Sequence, residues 1–178
     1  MAKIGIFFGT DTGNTEIAAE LIRSTIGEDK ADIFDVRKVE DVNILDNYEL
    51  LIIGASTWYL GELQGDMDSF LKKLEGKDLN NKKIALFGLG DQEQYSEFFL
   101  DGLGIMYNFF KDKGAEFFGE TSTEGYNFSS VLAMGDNIDK FVGLGLDFDN
   151  QEELNQSRIE DWVNELKTQT NQFKKLVF

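Results

Sequence analysis

The segment Gly9-Thr10-Asp11-Thr12-Gly13-Asn14-Thr15-Glu16 gathers threonine hydroxyls, an asparagine amide and two glycines in one short stretch. Glycine lets a backbone curl where a Cβ would clash. The N–H groups that open a helix have no partner within it, and with the helix dipole they attract anions. No Lys or Arg lies in the loop. It matches neither the Gly-x-x-x-x-Gly-Lys-Ser/Thr loop of nucleotide triphosphate binders nor the Gly-x-Gly-x-x-Gly turn of dinucleotide binders. A hydroxyl-rich cradle without a cation suits a terminal monophosphate. Thr12 or Asn14 alone would serve as an ordinary helix cap, but the run from Thr10 to Thr15 is richer than a cap requires, so it is read as a phosphate loop.

Two further segments carry aromatic residues between glycines. One is Gly54-Ala55-Ser56-Thr57-Trp58-Tyr59-Leu60-Gly61-Glu62-Leu63, and the other is Phe87-Gly88-Leu89-Gly90-Asp91-Gln92-Glu93-Gln94-Tyr95. A lone aromatic on a loop most simply packs against that loop. A Trp-Tyr pair on one segment and a Tyr on another, at the same sheet edge as the phosphate loop, instead suit a flat ring held by stacking.

The residue types that are missing narrow the chemistry. With no Cys there is no disulfide, thiolate nucleophile or iron–sulfur ligand, and with no His the usual general base and commonest transition-metal ligand are gone. A Ser-His-Asp triad and a zinc hydrolase are excluded, which leaves carboxylates, hydroxyls, Lys, aromatic rings, backbone or a bound cofactor. The 17 basic and 33 acidic residues give a formal charge of −16 and a pI near 4.3. That balance argues against nucleic acid and anionic membranes as unaided partners and favours a basic protein partner.

These loops need a scaffold, and the hydropathy pattern describes one. The chain has 178 residues, 42% hydrophobic and 13% aromatic, enough for one globular domain spanning 1–178. Nearly continuous apolar runs predict buried strands at Lys3–Phe8, Ala31–Val36, Tyr48–Gly54 and Lys83–Gly88, with a fifth beginning near Ala115. Helical stripes lie between and after them: Ile17, Ala18, Leu21 and Ile22; Met67, Phe70, Leu71 and Leu74; Phe99, Leu103, Met106 and Phe110; Ile159, Trp162, Val163 and Leu166. The alternation predicts a parallel, doubly wound α/β sheet, which places all three loops at the C-terminal strand edge where such sheets bind ligands. One stretch, Glu120–Asp139, breaks the rhythm, and Lys140–Leu146 then looks extended again, so the fifth strand is expected to be split by an insertion at 120–139. Tyr126 and Phe128 within it predict that it packs. Met1-Ala-Lys leads straight into a strand with no signal-like apolar region and no run reaches transmembrane length, so a cytoplasmic protein is expected.

At this point the chain resembles the flavodoxins, of the long-chain type. The resemblance rests on the three loops just quoted, on Phe141-Val-Gly-Leu-Gly-Leu-Asp147 and Arg158-Ile-Glu-Asp-Trp162, and on the insertion. It implies a five-stranded sheet of order 2-1-3-4-5, with helices on both faces and FMN at the switch point. Carried over by position, Thr10, Asp11, Thr12, Gly13, Asn14 and Thr15 are expected to hold the FMN phosphate, Trp58 to cover one ring face and Tyr95 to stack on the other. Backbone at Ser56, Thr57, Tyr59, Leu60 and Gly61 and at Gly88, Leu89, Gly90 and Asp91 is expected at the ring edge, with Phe98, Phe99 and Asp147 completing the site.

The resemblance further implies a monomeric, low-potential single-electron carrier with no substrate of its own, working between the semiquinone and hydroquinone of non-covalently bound FMN. Implied partners are basic-faced NADP-linked flavodoxin or ferredoxin reductases and ferredoxin-type acceptors. The rival reading is an FMN-dependent NAD(P)H:quinone reductase on the same scaffold. Negative charge from Asp91 and from Glu62, Asp66, Asp68, Glu93, Glu97 and Asp101, all expected near this edge, disfavours adding an electron and so explains a low potential.

Overall fold

The computed structural model describes residues 3–172; the outer ends of the expected 1–178 domain, residues 1–2 and 173–178, lie outside the described residues. Strands β1 (Ile4–Phe8), β2 (Ala31–Asp35), β3 (Leu50–Trp58) and β5 (Lys83–Leu89) form the parallel body of the sheet. The order is β2-β1-β3-β5, and the last position is shared by β6 (Glu116–Phe118) and β9 (Leu144–Leu146). Both are parallel to β5, β6 along Lys83–Ala85 and β9 along Phe87–Leu89. This is the expected 2-1-3-4-5 arrangement with its split fifth strand.

The alternation of side chains divides the core in two. Ile4, Ile6, Phe8, Leu50, Ile52, Ala85 and Phe87 face helices α1 (Asn14–Ile26) and α4 (Glu152–Gln172). Phe7, Leu51, Ile53, Ile84 and Leu86 face α2 (Gly65–Lys73) and α3 (Asp101–Asp112). Successive strand residues point to opposite faces, so a sheet covered on both sides needs the near-continuous apolar runs seen in the sequence. Glycine admits a ring between the central strands: a Cβ on Gly54 would stand 2.1 Å from the ring of Phe87, its partner on β5.

Three local expectations are corrected, and one connection takes a form the hydropathy pattern left open. In α1 the buried stripe is Ala18, Ala19, Ile22 and Ile26, while Ile17 is 51% exposed; the helix is rotated so that small alanines approach the sheet. Phe99 is buried but precedes α3. The link from β2 to β3 consists of 3₁₀ turns at Val36–Lys38 and Val42–Asn47, capped by Asp35 and Asp41. The second half of the split strand is also shorter than 140–146, because Lys140–Phe141 (β8) turns away to pair antiparallel with Thr121–Ser122 (β7).

The insertion packs, as its aromatics predict. Tyr126 and Phe128 lie 5.1 Å from Phe141 between ring centroids, and both lie within 6 Å of Phe99. Arg158 of α4 lies 4.0 Å over the Tyr126 ring, a cation–π contact that ties insertion to helix.

Candidate functional site at the C-terminal strand edge

At the mouth of β1 the chain passes through Gly13, whose φ of 97° is left-handed. The turn is built by Thr10, whose Oγ1 accepts from the Gly13 N–H at 3.0 Å. Helix α1 then begins with no side-chain cap. The Ile17 N–H is bonded to the Gly13 carbonyl, so the N–H groups of Asn14, Thr15 and Glu16 open the helix without an intrahelical partner. Asp11 turns the other way and accepts from Gln64 Nε2 at 3.1 Å. The loop therefore divides its labour: Thr10, Asp11 and Gly13 set its shape, while Thr12, Asn14 and Thr15 face a cavity.

That cavity has a volume of about 410 Å³ and runs from the start of α1 to the ends of β3, β5 and β9. Its size falls in the range of cofactor and ligand sites. One end is polar, lined by the residues just named; the rest is walled by Ser56, Thr57, Trp58, Tyr59, Leu89, Gly90, Asp91, Tyr95, Phe98 and Phe99.

Strand β3 does not end at Gly54 but continues to Trp58, reverses over Tyr59–Gly61 and returns as β4 (Glu62–Leu63), with Trp58 opposite Glu62. The three-residue reversal uses Tyr59 at φ 46° and Gly61 at φ 93°, and it pushes Tyr59 and Leu60 outward to 71% and 73% exposure. The Trp58 indole N–H donates to Ser56 Oγ at 2.8 Å, which fixes the tilt of the ring. Thr57 Oγ1 accepts from the Gly102 N–H at 3.0 Å and so anchors this strand to α3. Tyr95 remains 46% exposed at the mouth.

The far wall is organised by a buried carboxylate. Asp147 accepts from the Gln92 N–H and Nε2 and from the backbone and side chain of Asn150, whose Nδ2 also reaches Asp91 at 2.8 Å. Burial pushes the Asp147 pKa up, but the Asn150 and Gln92 hydrogen bonds outweigh it and hold the carboxyl below the usual carboxylate range. Neighbouring Asp149 is pushed up by partial burial and by the charges of Asp91 and Asp147.

Of the residues expected from the sequence, Thr10, Asp11, Gly13, Leu60, Gly61, Gly88 and Asp147 stand outside the cavity lining. Each has a physical reason. Leu60 and Gly61 form the outer turn, and Gly88 is needed because a Cβ there would stand 2.8 Å from Leu103. Asp147 has its oxygens turned to Gln92 and Asn150. Gln94, Phe148 and Asp149 line the cavity without having been anticipated. Phe148 and Asp149 follow the C-terminal end of β9, and the rule that places ligands at that edge would have found them.

An uncapped helix N-terminus leading into an aromatic slot at the strand edge of a doubly wound sheet defines a protein built around a planar, phosphorylated cofactor. The family model for flavodoxin matches residues 6–162. Flavodoxin 1 of Salmonella typhimurium is 44% identical over 95% of this chain and 95% of its own, and Flavodoxin 1 of Escherichia coli K12 is 45% identical over 93% of each. A crystal structure of Fusobacterium nucleatum flavodoxin bound to flavin mononucleotide superimposes with a TM-score of 0.86 at 35% identity, covering 95% of this chain and 99% of that one. The chain belongs to the flavodoxin family, whose members are electron-transfer proteins and not enzymes.

Proposed function

We propose that this chain carries single electrons at low potential on a non-covalently bound FMN seated in the 410 Å³ cavity. The observation that carries the reading is the continuity of that cavity from the uncapped start of α1 to the Trp58 and Tyr95 walls, which matches a phosphate joined to a flat ring. FMN bound there supplies one-electron reduction and reoxidation. Asn14, Thr15 and Glu16 N–H groups and the Thr12 and Thr15 hydroxyls hold the phosphate, while Thr10, Asp11 and Gly13 keep the loop in shape. Trp58 and Tyr95 take the two ring faces, and Phe98 and Phe99 exclude water from the wall between them. The backbone of Ser56–Tyr59 and Leu89–Asp91 lies at the ring edge.

Asp91, Asp147 and Asp149 concentrate negative charge at the far end, which opposes the arrival of an electron and supports a low potential. The chain's charge of −16 supports basic-faced redox partners, such as NADP-linked flavodoxin or ferredoxin reductases and ferredoxin-type acceptors, met as a monomer in the cytoplasm. Among the described residues no helix is long and apolar enough to cross a membrane. Family membership does not favour the quinone reductase alternative.

The test is direct. Purified protein is expected to be yellow, to take up FMN at one equivalent with quenching of Trp58 fluorescence, and to give two resolved one-electron steps on photoreduction. Steady-state NADPH oxidation by the isolated protein, or failure to bind FMN, overturns the reading. Electron transfer from a basic reductase is expected to fall steeply with added salt.

A further inference from the structure

Gln92 is buried, at 4% exposure, and its side-chain amide is used at both ends. Nε2 donates to Asp147 Oδ2 at 2.8 Å, and Oε1 accepts the Asn127 N–H at 2.8 Å. A carboxylate only accepts and an N–H only donates, so these partners fix which way the amide points. They come from distant parts of the chain. Asp147 follows β9, 55 positions from Gln92, and Asn127 lies in the insertion, 35 positions away. Asp91 before Gln92 lines the cavity, as do Gln94 and Tyr95 after it. Asn150 closes the circuit by bonding both Asp147 and Asp91. One buried amide thus joins the insertion, the turn after β9 and the loop that walls the cavity.

We propose that Gln92 is a positioning residue through which the insertion and the FMN site open and close as one unit: flavin against the Asp91–Tyr95 loop holds the insertion closed, and the closed insertion holds that loop against the flavin. The proposal rests on the FMN reading above. Gln92 does not line the cavity, so it acts through Asp91 and Asp147. The insertion approaches the site by other routes as well. Tyr126 and Phe128 pack on Phe99, the Tyr126 hydroxyl donates to the Gly145 carbonyl, and the Ser129 and Ser130 N–H groups donate to the Ser96 carbonyl. Ring packing is non-directional and tolerates sliding, while Gly145 and Ser96 stand outside the cavity lining. Among the described residues, the Gln92 amide is what bonds the insertion to the Asp91–Tyr95 loop itself. Breaking one end of a buried network leaves polar groups unpaired, so its members open together. Coupling of this kind is reciprocal: flavin protects the insertion by the same factor that the closed insertion favours flavin.

Residue-resolved amide hydrogen exchange, with and without saturating FMN, tests this in wild type and in Gln92→Leu. The Thr123 and Tyr126 N–H groups report, because they bond to the Asp139 and Thr123 carbonyls within the insertion and not to Gln92. In wild type FMN is expected to slow both about fivefold or more, the lower end of ordinary coupling between sites. In Gln92→Leu, and in Gln92→Met, the effect is expected to fall below about twofold while FMN still binds. Phe128→Leu loosens the ring packing and leaves the amide in place; it is expected to speed exchange in both states and keep the FMN effect. In the reverse direction, Tyr126→Phe is expected to speed FMN release about three- to tenfold in wild type, the effect of one net hydrogen bond, and to add nothing in Gln92→Leu. An FMN effect that survives in Gln92→Leu, that is lost in Phe128→Leu, or that is missing from a wild type which binds FMN overturns the proposal and leaves the proposed function standing. Additive release rates in the Tyr126–Gln92 cycle overturn it too. If Gln92→Leu does not fold, Gln92→Met and the wild-type comparison decide. A wild type that takes up no FMN overturns both readings.

Discussion

Gln64 donates its side-chain amide to Asp11 across 3.1 Å and its carbonyl oxygen accepts the Met67 N–H at 2.9 Å, so one buried residue joins the loop that opens α1 to the start of α2. Gly9 leaves room for it, since a Cβ there would stand 2.2 Å from Gln64 Oε1.

Replacing Gln64 therefore strands partners in two places. Gln64→Ala is expected to cost about 1–3 kcal/mol in urea unfolding of the FMN-free protein, because a buried N–H loses its acceptor. FMN affinity should fall as well, since Asp11 no longer braces the loop. Asp11→Ala, altering only the exposed end of the same contact, is expected to cost less than Gln64→Ala; equal losses would show that the link and not the cap matters.

Gly54→Ala tests the close approach of Phe87 to the sheet. A methyl group 2.1 Å from the ring forces the ring to move, and overpacking of this kind costs about 1–3 kcal/mol. Phe87→Leu in the same background is expected to recover part of the loss. The measured coupling between the two sites gives the size of the contact.

How much of this could be read from the sequence depends on how local each feature is. The uncapped turn that opens α1 onto the cavity was legible because Gly9 to Glu16 is contiguous and its chemistry lies in residue type. That Trp58 and Tyr95 share one cavity was legible because apolar strand runs place their loops at a common edge. The Gln64–Asp11 bond spans 53 positions and the Gln92–Asp147 bond 55, and nothing in spacing or periodicity announces either. Ile17 misled because a helix rotates to bring Ala18 and Ala19 to the sheet, and hydropathy alone weights the larger side chain. The β3–β4 reversal was read as loop because its strand residues, Ser56 to Trp58, do not look like a buried run. Lys140–Phe141 looked like sheet and is sheet, but paired with Thr121–Ser122; a two-residue antiparallel pairing leaves no periodic trace.

Asp147 and Asp149 give opposite pH responses. The Asp147 carboxyl is held below its ordinary value of 3.8, so the unfolded chain binds its proton first. Its contribution to stability is complete above that value and is lost as the pH falls through the lower folded value. Asp149 is raised above 3.8, so its penalty on the folded state grows as the pH rises from that value through the higher folded value and is constant beyond it. Asp147→Asn is expected to lower stability at pH 7 and flatten the acid limb of the stability curve. Asp149→Asn is expected to leave stability unchanged at the lowest pH and to raise it at neutral pH, so that the acid limb steepens. Chemical unfolding of the FMN-free protein at several pH values reads both.

The last expectation concerns the absence of Lys and Arg from Thr10–Thr15. Hydroxyls and helix N–H groups bind an anion by dipoles, which add no net charge, so the phosphate keeps its own negative field near the ring. A lysine side chain at position 14 would neutralise part of it. Asn14→Lys is expected to bind FMN no less tightly and to raise the potential of the second, more strongly reducing step. A screened charge interaction of about 1 kcal/mol corresponds to roughly 40 mV for a one-electron step, and the shift should shrink with added salt. Asn14→Gln, equal in polarity and without charge, is expected to leave the potential in place. Spectroelectrochemical titration at low and high salt separates the two; an equal shift in both variants would assign the effect to the geometry of the loop, and no shift in Asn14→Lys would remove the electrostatic argument for a cation-free cradle.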